Sequence, residues 1–173
     1  MKSPVLETQS YSSLNSKIKM IYNIPTSQRF SFDYKTYFND INNLDKLTKV
    51  IDENNPEIIF HLAAQPLVRL SYDEPVLTYA TNIMGTVNVL EAARTCGNLK
   101  AILSVTTDKC YENKEWAWGY RENDVLGGKD IYSGSKAAAE LIIKSFWNSF
   151  LKEKTYRKKN LVIYANNRRT QRY

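Results

Sequence analysis

Two short apolar runs constrain the fold of this chain more than any other feature. Glu57-Ile-Ile-Phe-His-Leu62 and Leu99-Lys-Ala-Ile-Leu-Ser-Val105 are too short for helices and too apolar for surface loops. Runs of this kind suit strands buried on both faces of a parallel sheet. The stretch between them predicts a helix from about Glu74 to Thr95, with Pro75 near its first turn and Gly97 at its stop. Two parallel strands joined through a helix form a βαβ unit.

The flanking segments extend the alternation. Tyr34–Asn39 predicts a short strand with Asp40 at its carboxyl end, and Leu44, Leu47, Val50 and Ile51 recur at helical spacing. Asn54-Asn55-Pro56 closes that helix, because the residue before proline disfavours the α region. Gly85 lies inside the longer helix, where it costs about 1 kcal/mol and so signals close packing against a neighbour. Thr106 to Gly128 is an aromatic-rich loop, longer than compact domains carry without a function. A helix follows from Tyr132 to about Leu151, with Ala137-Ala138-Ala139, Leu141, Ile142 and Phe146 on its inner face, and Leu161–Tyr164 is the last strand. The expected fold class is α/β, a Rossmann-like doubly wound parallel sheet, in which ligands bind at the carboxyl ends of the strands. Residues 1–33 show no clear pattern, 34–165 form the sheet-and-helix domain, and 166–173 are a basic tail.

Composition narrows the class. At 43% hydrophobic and 24% charged residues the chain is a globular one, not a disordered one. No apolar stretch approaches the ~20 residues of a membrane span, Met1-Lys2-Ser3-Pro4 opens without an apolar leader, and two cysteines build no disulfide framework. A cytoplasmic protein is the expectation. The net charge of +6 is local. From Lys152 to Tyr173 eight Lys or Arg face one acid, Glu153, and the remaining sixteen bases and seventeen acids nearly cancel. This reads as a solvated end and not as a nucleic-acid surface.

The chemistry-bearing residues fall at predicted strand ends. Of the twelve tyrosines only Tyr132 has a lysine four residues on, Lys136, so phenol and ammonium share a helix face. A nearby ammonium favours phenolate and would make Tyr132 a base near neutral pH; the plainer reading is a surface pair. Thr107-Asp108-Lys109 follows the Leu99–Val105 strand and offers a hydroxyl, an acid and an amine, or else a simple polar turn. Asp40 can face an adenine or ribose edge, or cap a helix. His61 is the only histidine, and no ligand spacing for a metal is present.

Together these residues resemble the extended short-chain dehydrogenase/reductase family of sugar-nucleotide enzymes. Phe60-His61-Leu62-Ala63-Ala64-Gln65 resembles its fourth-strand cofactor segment, and Asn82 in Thr81-Asn82-Ile83-Met84-Gly85-Thr86 resembles its helix motif. Within the family, Ala64-Gln65-Pro66-Leu67-Val68-Arg69-Leu70-Ser71-Tyr72 and the run from Thr107 to Glu122 are most similar to the CDP-glucose 4,6-dehydratases, over roughly Asp40 to Phe150.

The resemblance implies an internal redox dehydration of CDP-glucose with NAD as cofactor. It implies Thr107, Asp108, Lys109, Tyr132 and Lys136 as catalytic residues, with Lys109 standing where relatives carry Glu. It further implies Asp40, Ile41, Leu62, Ala63, Ala64, Gln65, Asn82, Tyr132 and Lys136 as cofactor contacts, and a homodimer through the two long helices. The family's opening strand, GxxGxxG loop and helix, and its later sugar-nucleotide subdomain, have no counterpart here. The expectations are therefore an incomplete sheet with an opening at its centre and a partial chain with little activity alone. Two rivals remain: a non-catalytic module that pairs with an intact subunit, and an epimerase or reductase, which shares Tyr132 and Lys136 but has no need of Asp108 beside Lys109.

Overall fold

The computed structural model describes residues 4–10, 16–22, 34–152 and 161–165, with side chains from Thr36 to Lys152. The basic segments at 153–160 and 166–173, and the side chains of the N-terminal thirty-odd residues, lie outside the described residues.

A six-stranded sheet runs β3-β2-β1-β4-β5-β6, with β1 Pro4–Ser10, β2 Ser16–Tyr22, β3 Tyr34–Phe38, β4 Ile58–Leu62, β5 Ala101–Val105 and β6 Leu161–Ala165. β1, β4, β5 and β6 pair in parallel, whereas β2 is antiparallel to both β1 and β3. Two expectations change here. The sheet has no opening at its centre, because β1 pairs with β4 from Val5↔Ile58 to Gln9↔Leu62. Nor is it wholly parallel. Residues 11–15 and 23–33 are too few for the dozen or more that a crossover requires, so β2 reverses.

Helix α1 (Leu44–Asn54) starts at Asn43, whose side chain accepts from the Lys46 amide at 3.0 Å, and stops at Asn55 in the left-handed region (φ 42°) ahead of Pro56. After α2 (Val68–Asp73), a continuous helical path runs as α3 (Pro75–Tyr79), one π turn (Ala80–Met84) and α4 (Gly85–Thr95). α5 (Ile131–Phe146) is capped by Asp130, which accepts from the Ser133 amide at 2.9 Å, and ends in a second π turn, Trp147–Leu151. No described helix is long and apolar enough to cross a membrane.

Leu47, Val50 and Ile51 of α1, Val89, Leu90 and Ala93 of α4, and Ile143 of α5 share one core with Ile59 and Ile102 of the sheet. Burial alternates along β4 and β5: Ile59, His61, Ile102 and Ser104 are buried, while Ile58, Phe60, Ala101 and Leu103 are only half so. These strands are therefore fully buried on one face and not on two. The Thr106–Gly128 loop has a small core of its own, in which Cys110, Tyr111, Tyr120 and Ala137 pack with Trp116 and Leu126. The Tyr111 and Tyr120 rings stack at 5.2 Å, and a Tyr111↔Leu126 bridge draws the loop's two limbs together.

Gly85 is where α4 meets the chain leaving β3. A Cβ there would stand 2.8 Å from Ile41 Cγ2, and Ile41 is fully buried with its carbonyl held by Asn88 Nδ2 at 3.1 Å. Gly85→Ala improves helix propensity by about 1 kcal/mol, but overpacking a stiff β-branched neighbour costs about 1–3 kcal/mol. Overpacking wins, so a urea midpoint is expected to fall, by a net of about 1 kcal/mol. Gly97→Ala, where nothing lies within 4 Å, should leave the midpoint nearly unchanged.

Candidate active site

The site begins where β4 and β5 end side by side. Their register runs to His61↔Ser104, so Leu62 and Val105 emerge as neighbours, 37% and 40% exposed, an apolar floor at the carboxyl edge. Beyond Leu62 the chain turns inward and Ala63, Ala64 and Gln65 are buried. Beyond Val105, Thr106 and Thr107 lead into a 3₁₀ turn, Asp108–Cys110. α5 presents Tyr132 and Lys136, one turn apart and both buried, to this edge.

The Thr107 hydroxyl stands between two groups. It hydrogen-bonds the Tyr132 phenol and lies 3.1 Å from Asp108 Oδ1, while its oxygen also accepts from the Lys109 amide at 3.4 Å. Phenol, hydroxyl and carboxylate thus form one continuous chain. Burial raises the Tyr132 pKa above the usual phenol value; the Thr107 hydrogen bond and the Lys109 charge pull it down, and Asp108 and Asp130 push it further up. Burial prevails. Lys109 is a cation that favours the phenolate here. Burial lowers the Lys136 pKa to about 8, with Glu140 and Cys110 opposing.

Asn82 ties these parts together from the π turn. Its Oδ1 accepts from the Gln65 amide at 2.7 Å, and its Nδ2 donates to the Gln65 carbonyl at 3.1 Å and to Ser135 Oγ at 2.8 Å. Ser135 Oγ in turn donates to the Tyr132 carbonyl at 2.6 Å. The Gln65 side chain bonds the Leu67 main chain and Thr78 Oγ1, so the loop after β4 is held at both ends. His61 Nε2 meets Thr86 Oγ1 at 3.0 Å, and Thr86 Oγ1 donates to the Asn82 carbonyl at 2.7 Å. A π turn accommodates one extra residue per turn and recurs at functional sites.

The structure gathers Leu62, Ala63, Ala64, Gln65, Asn82, Thr107, Asp108, Lys109, Tyr132 and Lys136 into this region. Asp40 lies apart, exposed beyond β3 at the far edge of the sheet. Its carboxylate accepts from the Asn42 amide at 2.8 Å, and the helix cap falls to Asn43. Ile41 buries its side chain in the core against Gly85. Sequence reasoning missed Ser135, Thr86 and Glu140. Only Glu140 carried a signal, its position one turn beyond Lys136.

Known proteins match this arrangement. The family model for GDP-mannose 4,6 dehydratase matches residues 4–167. The chain belongs to that family. It is 53% identical over 122 residues to CDP-glucose 4,6-dehydratase of Salmonella typhimurium, covering 70% of this chain and 34% of that protein. Among solved structures, UDP-glucose 4-epimerase of Thermotoga maritima with UDP-glucose superposes with a TM-score of 0.61 at 25% identity, over 66% of this chain and 37% of that one. A dTDP-glucose 4,6-dehydratase of Streptomyces venezuelae with NAD and TYD bound shares the fold, with a TM-score of 0.63 at 22% identity over 73% and 36%. The chain spans about a third of the length of these relatives.

Two outcomes test the site's internal bonding. Asn82→Ala leaves the Gln65 amide and carbonyl and the Ser135 hydroxyl short of partners, at a cost of about 2–4 kcal/mol. Hydrogen exchange at the Gln65 amide should accelerate accordingly. His61 supplies a pH signature. Burial first, and then the Lys136 charge, lower its pKa from 6.5 to about 3. The unfolded chain therefore takes up a proton that the native one refuses, and stability should fall as pH drops from about 6.5 towards 3, by roughly 4 kcal/mol in all. In His61→Gln that component of the urea-midpoint profile should vanish.

Proposed function

We propose that this chain carries the catalytic centre of a sugar-nucleotide 4,6-dehydratase that acts on CDP-glucose with NAD as cofactor. The observation that carries the reading is the hydrogen-bonded run Tyr132–Thr107–Asp108 at the carboxyl ends of β4 and β5. Family membership and the likeness to the Salmonella CDP-glucose enzyme support the substrate class.

The residues fit NAD at its reacting end. The exposed Leu62 and Val105 offer an apolar bed for a nicotinamide ring, bounded by Ala63, Ala64 and Gln65 on one side and by Tyr132 and Lys136 on the other. Asp40 would face the adenosine end. Asn82 and Ile41 have committed their side chains to protein, so their part in cofactor binding is to hold the main chain in place. The diphosphate finds no match among the described residues, since β1 is followed after only five residues by an antiparallel β2. The 173-residue chain alone is therefore expected to hold NAD weakly and to turn over little.

Bound NAD would accept hydride from the sugar C4 and return it to C6. The protein's part is proton management. Tyr132, with Thr107 relaying and Lys136 alongside, takes the proton of the 4-hydroxyl. The resulting 4-ketone acidifies the C5 hydrogen. Asp108, next along the chain, donates to the 6-oxygen, which leaves as water. Lys109 in its charged form favours the phenolate; it is our candidate for the C5 proton, which it can accept only as a free amine. A proton returned to C5 completes the balance: CDP-glucose becomes CDP-4-keto-6-deoxyglucose plus water. Asp108 next to Tyr132 is also what separates this reading from an epimerase. Exposed Val76, Leu77 and Tyr79 on α3 and Leu141 on α5 support pairing of two chains through these helices.

The test replaces the matching stretch of the Salmonella enzyme with residues 40–150 of this chain and follows CDP-4-keto-6-deoxyglucose. Product is expected from the chimera, and Tyr132→Phe within it should lower kcat by about 10²–10⁴-fold. A folded chimera that retains NAD and leaves CDP-glucose untouched would sink the proposal.

A further inference from the structure

Lys136 is a cation placed where water scarcely reaches, and among the groups described around it Glu140 brings a carboxylate to its own helix. Three described elements besides its own helix face it: His61 comes from β4, Cys110 from the 3₁₀ turn, and Thr86 from α4 through His61. The same turn's Asp108 and Lys109 act on Tyr132, as does Asp130 at the helix cap. His61 is neutral at every working pH and Cys110 is a buried thiol. On α5 itself, one turn beyond Lys136, stands Glu140, 7% exposed and facing inward. Thr106, the first residue after β5, donates its hydroxyl to Glu140 Oε1. A carboxylate rarely enters an interior without a partner, and this one has a hydroxyl donor and, one helical turn away on the same face, a buried cation.

We propose that Glu140, anchored by Thr106, is the positioning residue for Lys136, the buried counter-charge that keeps the lysine protonated and aimed at the site. The inference rests on the dehydratase reading, which makes Lys136 a working group. It adds a residue outside the phenol–lysine pair and links the end of β5 to the third turn of α5. Without Glu140, burial acts on Lys136 unopposed except by Cys110, and the ammonium releases its proton at lower pH. The direction is already visible in the coupling between them: Lys136 lowers the Glu140 pKa and Glu140 raises that of Lys136, while burial drives each towards its neutral form.

The experiment titrates the full 173-residue chain carrying ¹³C-labelled lysine, with the Lys136 resonance assigned through Lys136→Arg. The unsubstituted chain should show a midpoint near 8. Glu140→Gln keeps the volume and the hydrogen bond from Thr106 but removes the charge, and should lower the midpoint by about one pH unit, a tenfold change in proton affinity. Glu140→Asp should recover part of the shift. A folded Glu140→Gln chain with an unmoved midpoint overturns the proposal, since a merely structural role predicts that result. Should Glu140→Gln fail to fold, ¹³C-labelled glutamate in the unsubstituted chain decides instead. The Glu140 carboxyl signal should step at the Lys136 midpoint and lose that step in Lys136→Met; no step overturns the proposal. Neither measurement uses a sugar nucleotide or NAD, so either can fail while the dehydratase reading stands, and an inactive chimera leaves both intact.

Discussion

One buried amide holds the site together. Asn82 has its two amide hydrogens and its carbonyl oxygen engaged by protein, and its partners come from two different elements. The loop after β4 supplies both main-chain groups of Gln65, and α5 supplies Ser135. Apolar contact alone is non-directional and would set no register between those segments; this clamp does. With it, the turn of α5 that carries Tyr132 is fixed relative to the strand end that carries Leu62. The π turn around Asn82 is the local cost of aiming that side chain, because an uninterrupted α-helix would rotate it away from the bond it makes.

Electrostatics in the cleft are governed by desolvation before they are governed by charge. Burial is the largest cause of the shifts at Tyr132, Lys136, Glu140 and His61, and each moves towards its neutral form. Neighbouring charges only moderate this. A phenol made less acidic by burial is a poor resting base, but a phenolate formed there is strong once formed, and it is placed against a hydroxyl that can share the proton. The arrangement therefore favours proton transfer along Tyr132–Thr107–Asp108 over loss of the proton to bulk water.

Apart from α2, which no sequence signal announced, the main helices and strands from Tyr34 to Leu151 were legible in sequence because their signals are local. The caps at Pro75 and Asn55, the apolar cores of β4 and β5, and the spacing of Tyr132 and Lys136 all act within a few residues. The crowding implied by Gly85 was legible too, although its partner, Ile41, was not. What escaped depends on tertiary context. No pattern in Ala80–Met84 announces a π turn, and nothing local says that the Lys109 charge reaches the Tyr132 phenol. Glu140 escaped for a similar reason: a glutamate on a helix is ordinarily a solvated residue, and only the approach of Thr106 at the end of β5 turns it inward. The reversed β2 could have been foreseen from connection lengths, but its mixed polar sequence carried too little apolar periodicity to declare a strand.

The two halves of the dinucleotide site proposed above differ in what they ask of a fold. The reacting end needs side chains, and on the proposed reading β4, β5, α4 and α5 bring them together. The diphosphate end needs main-chain amides at a helix start, which only a strand–turn–helix can supply. β1 occupies the place in the sheet that such a strand would take, beside β4, yet it leads into a hairpin partner. Its pairing completes the sheet and shields the edge of β4, so it stabilises the strand end from which the site is built.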